Sequence, residues 1–334
     1  MAVLLTEADV VDLIDIGEAI QITETMYRDN AGDQTRYHTP VRVQVPSGSL
    51  RITTGALLAD GVMGARVGSA SGLRGDSTVS LLFDATSGDL LCVMSYPFSL
   101  LRTGANMALA VKWLAGGGPA NVGMIGSGRN ALGLLAGIAA VRPISALRVF
   151  SRSSDARERF AGQAAERLAI DAVTAVTTSR DAAAGADIVV CSTNSDVAVL
   201  EHDALASAAF VGTMGSPAEL SEQTLLAAQG IYVGSRSQEH QYHHYHAYRE
   251  DVPSRNLIQL VSAGQLAWGR TVHELADVIR GDCEPARSGL VIYKESQGGY
   301  GDLALAAAAY RKAIDLGRGQ HIDLSLGAGD ALRV

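Results

Sequence analysis

The chain contains 334 residues, of which 47% are hydrophobic and 19% charged, and its 27 basic against 35 acidic side chains give a formal net charge of −8. This length suits two domains, and the composition is that of a folded chain rather than a disordered one. The negative charge and the lack of a Lys/Arg run argue against a nucleic acid as the main partner.

The sequence shows no pattern of export or of a membrane segment. Acidic residues interrupt the apolar N-terminal stretch, which disagrees with a signal peptide, and no apolar run is long enough to cross a bilayer. Cys92, Cys191 and Cys283 lie far apart, so neither a disulfide framework nor a cysteine-based zinc site is expected. These features predict a cytoplasmic protein.

The N-terminal part predicts one helix followed by antiparallel strands. An amphipathic pattern covers residues 7–30, with Thr6 as its N-cap. Alternating apolar and polar residues between turn sequences then predict five strands, at residues 41–45, 50–54, 63–67, 79–83 and 90–94. A helix is predicted over residues 99–114, before the Gly-rich linker 115–119.

After this linker, strand and helix patterns alternate. Six strands are predicted, at residues 122–125, 146–150, 172–176, 187–191, 209–211 and 231–233. Such alternation predicts a parallel sheet with helices on both faces. A late Ala-rich helix, 302–316, is expected to return to the first domain. We therefore predict an α/β protein, with a Rossmann doubly wound domain over 117–299 and an α+β domain with an antiparallel sheet over 1–116 and 300–334.

A glycine-rich loop follows the first strand of the predicted Rossmann domain. It has the pattern G-x-G-x-x-A, formed by Gly126, Ser127, Gly128, Arg129, Asn130 and Ala131. The first Gly permits a tight turn, the second allows a pyrophosphate to approach the backbone, and the helix N-terminus favours an anion. The loop therefore predicts a dinucleotide site, although a Gly-rich turn with only a structural role would have the same sequence pattern.

The end of the second Rossmann strand indicates which dinucleotide is bound. An NAD-binding protein usually has an acidic residue here for the ribose 2′-hydroxyl. This chain instead has Ser151, Arg152 and Ser153, whose guanidinium and hydroxyls suit a 2′-phosphate. NADP(H) is therefore favoured over NAD(H), unless Arg152 only stacks on the adenine or faces solvent.

Two further loops follow strands of the same predicted sheet. Thr193 and Asn194 come after the fourth strand, and Thr213 and Met214 after the fifth. Because ligands bind at the carboxyl ends of such strands, we expect Thr193, Asn194 and Met214 to contact the cofactor.

Ordered motifs extend through nearly the whole chain. They include residues 40–42 (PVR), 64–67 (GARV), 101–105 (LRTGA), 125–128 (IGSG) and 301–306 (GDLALA). By these motifs the chain resembles the ornithine cyclodeaminase/mu-crystallin family. The resemblance implies an NAD(P)-binding homodimer in which the N-terminal sheets of two subunits pair. It also implies that Arg42 and Arg102 bind a substrate carboxylate and that Thr103 lies in the cofactor site.

The chain departs from the family pattern at two chemically important positions. The usual lysine is replaced by Arg66, which is a poor proton donor because a guanidinium stays protonated at neutral pH. The acidic residue of the cyclodeaminases and alanine dehydrogenases falls at Thr213-Met214, and neither side chain can activate an amine or water. The resemblance therefore implies imine reduction or amino-acid dehydrogenation rather than cyclodeamination.

The arginines suggest an anionic substrate. Arg42, Arg66 and Arg102, with Arg74 as a further candidate, would suit a small imino acid or oxo acid and even a dicarboxylate. Arg66 could instead form an ion pair with Asp76 or Asp84. If catalysis needs a proton donor besides Arg66, the candidates closest in sequence are His38 and Tyr37, although both could be structural.

Other features fit structural roles. His240, His243, His244 and His246 have helical spacing, but no carboxylate or Cys completes a ligand set, so no metal is predicted. Asp84 is expected to cap a turn, and Asp302 either faces the nicotinamide region or caps the last helix. A cyclodeaminase and a non-catalytic NADPH-binding protein remain the alternative functions.

Overall fold

The computed structural model describes residues 2–29, 34–71, 75–205, 209–214, 218–240, 256–295 and 299–323. Within these ranges, none of the helices has the length and apolar character that crossing a membrane requires. The strands are β1 (Ala2–Leu5), β2 (Thr35–Val45), β3 (Gly48–Leu57), β4 (Val62–Ser71), β5 (Gly75–Asp84), β6 (Leu90–Met94), β7 (Ala120–Ile125), β8 (Ile144–Phe150), β9 (Val173–Ala175), β10 (Ile188–Cys191), β11 (Phe210–Thr213), β12 (Gly230–Val233), β13 (Val272–Glu274), β14 (Val291–Lys294) and β15 (Gln320–Ile322). The helices are α1 (Glu7–Val10), α2 (Ile16–Asp29), α3 (Ser99–Leu114), α4 (Ala131–Val141), α5 (Ser154–Leu168), α6 (Ser179–Ala183), α7 (Glu222–Ala227), α8 (Leu257–Ser262), α9 (Leu275–Arg280) and α10 (Gly299–Asp315).

The chain divides into two compact units. The first, which we call the sheet unit, contains residues 1–15, 29–98 and 299–334, and the second, the Rossmann unit, contains residues 16–28 and 99–298. The last helix thus groups with the N-terminal sheet. This division differs from the predicted boundary at residue 116, because residues 16–28 and α3 group with the Rossmann unit.

The sheet unit is built on a mixed sheet. Its strand order is β15-β1-β6-β5-β4-β3-β2, in which β2 to β6 are antiparallel neighbours and β1 runs parallel to β6. Helix α10 packs on β3 and β4, where a Cβ atom at Gly64 would lie 2.9 Å from the Leu303 side chain and 2.2 Å from the Leu81 carbonyl oxygen. The absence of a side chain at Gly64 therefore lets the helix approach the sheet closely.

The Rossmann unit contains a parallel sheet of eight described strands. Its order is β13-β12-β14-β11-β10-β7-β8-β9, and all neighbours are parallel. All four residues of β10, β11, β12 and β14 are buried, as expected for strands covered by helices on both faces. The predicted α/β class is confirmed.

The structure also corrects the predicted elements in two places. The first helix is interrupted, since α1 ends at Val10 and α2 begins at Ile16. Thr6 is the N-cap residue of α1, and its backbone N–H and its hydroxyl both donate to Asp9 Oδ2, at 2.8 and 2.6 Å. Besides the six predicted strands, the Rossmann sheet contains β13 and β14, which were not predicted, and β14 lies between β11 and β12. Strands of three or four residues are too short for periodicity to distinguish from other buried segments.

Candidate functional site

The glycine-rich loop begins in a conformation that requires glycine. Gly126 has φ +107°, and its backbone N–H donates to the Phe150 carbonyl oxygen at 2.8 Å. A Cβ atom at this position would lie 2.2 Å from the Ser192 carbonyl oxygen. The loop thus turns tightly between the ends of β7, β8 and β10, at the carboxyl edge of the sheet.

The rest of the loop leaves room for an anion at the start of α4. Gly128 and Arg129 are exposed and Ser127 and Asn130 half-buried. Apart from its two chain neighbours, no described residue has an atom within 4 Å of a Cβ built on Gly128. Ala131 is fully buried as the first residue of α4. Backbone N–H groups at the N-terminus of an 11-residue helix suit a pyrophosphate. The loop therefore fits a dinucleotide.

The loops after β10 and β11 are held beside this turn. The Thr193 backbone N–H donates to Glu219 Oε1 at 2.5 Å, and Glu219 is 1% exposed. Met214 is buried, with its Sδ 3.5 Å from Asn130 Nδ2 and 3.7 Å from Ser192 Oγ. The predicted residue Met214 therefore lies against the glycine-rich loop. The anchoring role of Glu219 was not predicted, since it depends on a contact between two loops.

The end of β8 has no acidic side chain. Arg152 is exposed, Ser151 is half-buried, and the Ser153 hydroxyl accepts a hydrogen bond from the Ala156 backbone N–H at 3.3 Å as the N-cap of α5. Asp155 lies inside the first turn of α5 and is also exposed. Cationic and hydroxyl groups thus surround the position where a 2′-hydroxyl ligand would be expected.

Helix α3 carries two predicted site residues on its first turns. Arg102 is 2% exposed and Thr103 is fully buried, and the Thr103 hydroxyl donates to the Ser99 carbonyl oxygen at 2.7 Å. Helix α3 packs closely on α4, where a Cβ at Gly137 would lie 2.0 Å from the Gly104 carbonyl oxygen. This contact fixes α3 against the helix that begins at the glycine-rich loop.

A buried hydrogen-bond network holds α3 from another direction. Asn106 Nδ2 donates to Glu295 Oε1 at 3.1 Å, the Tyr293 hydroxyl donates to Glu295 Oε2 at 2.6 Å, and the Tyr27 hydroxyl donates to Asn106 Oδ1 at 3.0 Å. Glu239 is buried within electrostatic range of Glu295 and of Lys294 at the end of β14. Burial raises the pKa of Glu239; Lys294 opposes this shift and Glu295 adds to it. None of these residues was predicted, because β14 itself was missed.

In the sheet unit, the strand register places three arginines on one face. Arg42 pairs with Arg51 and Arg51 with Gly68, two residues from Arg66 on β4. Direct cross-strand partners share a face, as do residues two apart. From strand spacing and rise, the Arg42 and Arg66 backbones lie roughly 12 Å apart. Arg51 was not predicted as a member of this group.

Arg66 contacts an acidic residue from the last helix. Its Nε lies 3.2 Å from Asp302 Oδ2, and the two side chains are 15% and 2% exposed. Of the two predicted partners, Asp76 has a side chain outside the described residues, and Asp84 makes other contacts. The Asp84 carboxylate accepts from the backbone N–H groups of Ser87 and Thr86, which lower its pKa, so its predicted turn-capping role is confirmed. Asp302 lies within α10, which begins at Gly299, and is therefore not an N-cap.

The structure places His38 on the other face of the sheet. His38 pairs with Thr54 and Thr54 with Ala65, the neighbour of Arg66, whereas Tyr37 pairs with Gly55 and Gly55 with Gly64. A register shift between His38 and Val41 reverses the alternation that the sequence suggested. His38 is thus corrected as a candidate donor beside the arginines. Tyr37 is on the arginine face, with its ring centroid 5.1 Å from that of Tyr300.

The remaining candidates are only partly described. Arg74 and the histidines His243, His244 and His246 lie outside the described residues, and so does the side chain of Asp76. The ring of His240 lies 6.0 Å from that of Trp268. In the described part of the chain, no group of three or more His, Cys, Asp or Glu side chains could hold a metal.

The fold and the glycine-rich loop define a protein with two units, one a Rossmann-type unit suited to a dinucleotide and the other built on a mixed sheet. The chain belongs to the ornithine cyclodeaminase/mu-crystallin family, whose model matches residues 2–306. The predicted family membership is confirmed.

The chain is similar to Delta(1)-pyrroline-2-carboxylate reductases and to an iminosuccinate reductase. A Delta(1)-pyrroline-2-carboxylate reductase of Bacillus cereus is 24% identical over 253 residues, which cover 73% of this chain and 74% of the relative. The structure of the Delta(1)-pyrroline-2-carboxylate reductase of Thermococcus litoralis in complex with NADH and L-proline aligns with a TM-score of 0.82 at 22% identity, covering 96% of this chain and 100% of that one. The iminosuccinate reductase of Paracoccus denitrificans in complex with NAD+ aligns with a TM-score of 0.81 at 20% identity, covering 97% and 99%.

Proposed function

We propose that this chain is an NAD(P)H-dependent oxidoreductase that reduces the C=N bond of a small imino acid or ketimine to an amine, or equivalently aminates a 2-oxo acid reductively. Family membership and the relatives named as imine reductases support this proposal. The observation that carries it is the position of Met214, which is buried against Asn130 of the glycine-rich loop. A thioether there cannot activate water or an amine for cyclodeamination, but imine reduction needs no such group.

The residues of the Rossmann unit would hold the cofactor. The loop residues Gly126, Ser127, Gly128, Arg129, Asn130 and Ala131 would bind the pyrophosphate. Thr103, Thr193, Asn194 and Met214 would line the remainder of the dinucleotide. When bound, a reduced nicotinamide supplies a hydride for the imine carbon. The nitrogen of an iminium substrate already carries its proton, so the replacement of lysine by Arg66 does not prevent the reaction.

The arginines would bind the substrate carboxylate. A guanidinium is always charged and offers a planar fork of donors, and Arg42 and Arg66 share a sheet face in the sheet unit. Arg102, buried in α3, would also bind the carboxylate, because it matches the family motif. These roles predict that the substrate is a small anion.

The test is cofactor oxidation with a panel of imines. NADPH and NADH should be oxidised with Delta(1)-pyrroline-2-carboxylate, pyruvate plus methylamine, or oxaloacetate plus ammonia. Arg42→Met should raise KM for the active imine tenfold or more. Arg36→Met is its matched control, because Arg36 pairs with Ala56 and Ala56 with Met63 on the other face. NADPH binding without oxidation by any imine would favour a binding protein, and proline formation from ornithine with NAD+ would favour a cyclodeaminase.

We also propose NADP(H) as the preferred cofactor. The exposed Arg152 and the hydroxyls of Ser151 and Ser153 end β8 without an acidic neighbour, and a guanidinium with hydroxyls suits a 2′-phosphate. Arg152→Asp should reverse the preference, raising KM for NADPH at least tenfold and leaving KM for NADH within about threefold. An unchanged ratio of the two KM values would remove Arg152 from this role.

We further propose that the sheet unit mediates homodimerisation. Val41, Val43 and Val45 are about half exposed, at 54%, 52% and 46%, and they lie along β2 at one edge of the sheet. An exposed apolar edge strand is a surface that a second chain can cover. Sedimentation should show a dimer that Val43→Lys weakens, whereas a monomeric wild type would contradict this proposal.

A further inference from the structure

We propose that Asp302 is a positioning residue for Arg66 and offsets its charge, so that Arg66 binds one substrate carboxylate and the site prefers monoanionic to dianionic imino acids. This inference rests on the proposed function. It adds a residue from the end of the chain to the substrate site and restricts the charge of the substrate.

Asp302 contacts the inner nitrogen of the Arg66 guanidinium. Asp302 Oδ2 lies 3.2 Å from Arg66 Nε, not from one of the two terminal nitrogens that form the outer edge of the guanidinium. The carboxylate is 2% exposed and the arginine side chain 15%. A contact at Nε restrains the inner part of the guanidinium and sets the direction of its plane.

Helix α10 packs closely on the strands around Arg66. If Gly64 carried a Cβ atom, that atom would lie 2.9 Å from the side chain of Leu303, the residue after Asp302. A Cβ atom on Gly299 would lie 3.0 Å from the Thr53 Cβ. Thr53 is the direct cross-strand partner of Arg66, and its hydroxyl donates to the Arg66 carbonyl oxygen at 3.4 Å. Two small residues thus bring the first turns of α10 onto the part of the sheet that carries Arg66.

Asp302 also offsets the charge of Arg66. Asp302 in the first turn of α10 is favoured by the positive end of the helix, and the Arg66–Asp302 pair together carries no net charge. The family's lysine position therefore does not add a full positive charge to the arginine face. A second carboxylate on the substrate would therefore not be attracted by a full positive charge at Arg66. This argues against the dicarboxylic substrate that the arginines alone suggested.

Two substitutions separate position from charge. Asp302→Asn keeps the shape of the side chain beside Arg66 but removes the negative charge, whereas Asp302→Ala removes both. Asp60→Asn is the matched control, because Asp60 pairs with Arg311 of the same helix at 3.7 Å in a more exposed setting. The measurements are kcat and KM for Delta(1)-pyrroline-2-carboxylate and for oxaloacetate plus ammonia, and thermal stability.

We expect Asp302→Ala to raise KM for the monocarboxylic imine at least tenfold with a smaller effect on kcat. Asp302→Asn should keep that KM within about threefold but raise the ratio of dicarboxylic to monocarboxylic kcat/KM about tenfold. Asp60→Asn should match wild type. A loss of thermal stability in Asp302→Ala with unchanged KM would overturn the positioning role, and an unchanged selectivity in Asp302→Asn would overturn the charge role.

A binding measurement distinguishes failure of this inference from failure of the proposed function. If wild type reduces no imine, calorimetric titration of L-proline into the NADPH-saturated protein takes the place of KM. Weaker L-proline binding by Asp302→Ala, but not by Asp60→Asn, would support the positioning role without turnover. Equal binding by all three proteins would reject it.

Discussion

The two units arrange their candidate binding groups in different ways. In the sheet unit the candidate groups are charged side chains: Arg66 is paired with Asp302, and Arg42 lies on the same face. In the Rossmann unit the glycine-rich loop offers backbone N–H groups and a helix N-terminus, and a buried group elsewhere in the unit brings Glu239 within electrostatic range of Lys294 and Glu295.

This difference has consequences for what each unit tolerates. A buried ion pair depends on both partners, since removal of one leaves the other charge in a poorly hydrated place. A backbone site depends instead on the local conformation of a few residues, above all a glycine with positive φ. The sheet unit should therefore be sensitive to side-chain charge and the Rossmann unit to the shape of its main chain.

The largest expected effect is the loss of the Arg66 guanidinium. Arg66→Met should lower the free energy of unfolding by about 3 kcal/mol, because the Asp302 carboxylate remains buried without it. The double variant Arg66→Met/Asp302→Leu should recover most of this loss. Urea denaturation without cofactor measures both changes.

The control for this cycle is an exposed pair on the same helix. Arg311→Met removes the pair with Asp60, in which the arginine is 52% exposed, and should cost less than about 1 kcal/mol. Equal losses for Arg66→Met and Arg311→Met would mean that burial of the first pair has no energetic consequence.

The second effect tests the backbone of the nucleotide loop. Gly126→Ala should destabilise the protein by about 2 kcal/mol, since φ is +107° and the new Cβ would meet the Ser192 carbonyl oxygen. At Gly128 a new Cβ would meet no described residue within 4 Å other than its chain neighbours. Gly128→Ala should therefore leave the cofactor-free protein as stable as wild type and weaken only NADPH binding. Melting curves with and without NADPH distinguish the two, and equal melting temperatures of the cofactor-free variants would refute the difference.

The third effect is a dependence of stability on pH. Because the pKa of folded Glu239 is raised above its ordinary value of 4.5, the folded protein retains a proton that the unfolded chain releases. Stability from this group is therefore full at low pH and falls as pH rises from about 4.5 through the folded pKa. Glu239→Gln should gain stability relative to wild type over that rise, as urea midpoints at successive pH values would show. Glu284→Gln, at a side chain that is 90% exposed, should follow the wild-type curve; if Glu239→Gln follows it too, Glu239 does not titrate as described.

The same contrast explains which features could be predicted from the sequence. The glycine-rich loop lies within one strand, turn and helix that are adjacent in the chain, so its sequence pattern indicates its geometry. The partner of Arg66 could not be found in this way, since Asp302 comes from the far end of the chain and nearer acids were equally plausible. The sequence also could not show on which face of the sheet His38 lies, because the extra residue between His38 and Val41 moves the side chains on one side of it to the other face.

The smallest expected effect separates a helix cap from a cofactor ligand. Ser153 accepts from the Ala156 N–H as the N-cap of α5, so Ser153→Ala should lower the free energy of unfolding by about 1 kcal/mol. Ser153→Asp preserves the cap, since Asp is an equally good N-cap residue, but its charge opposes a 2′-phosphate. Ser153→Asp should therefore match wild type in urea denaturation yet raise KM for NADPH severalfold relative to NADH. If both cofactors lose affinity equally, the end of β8 supports α5 and takes no part in selecting the dinucleotide.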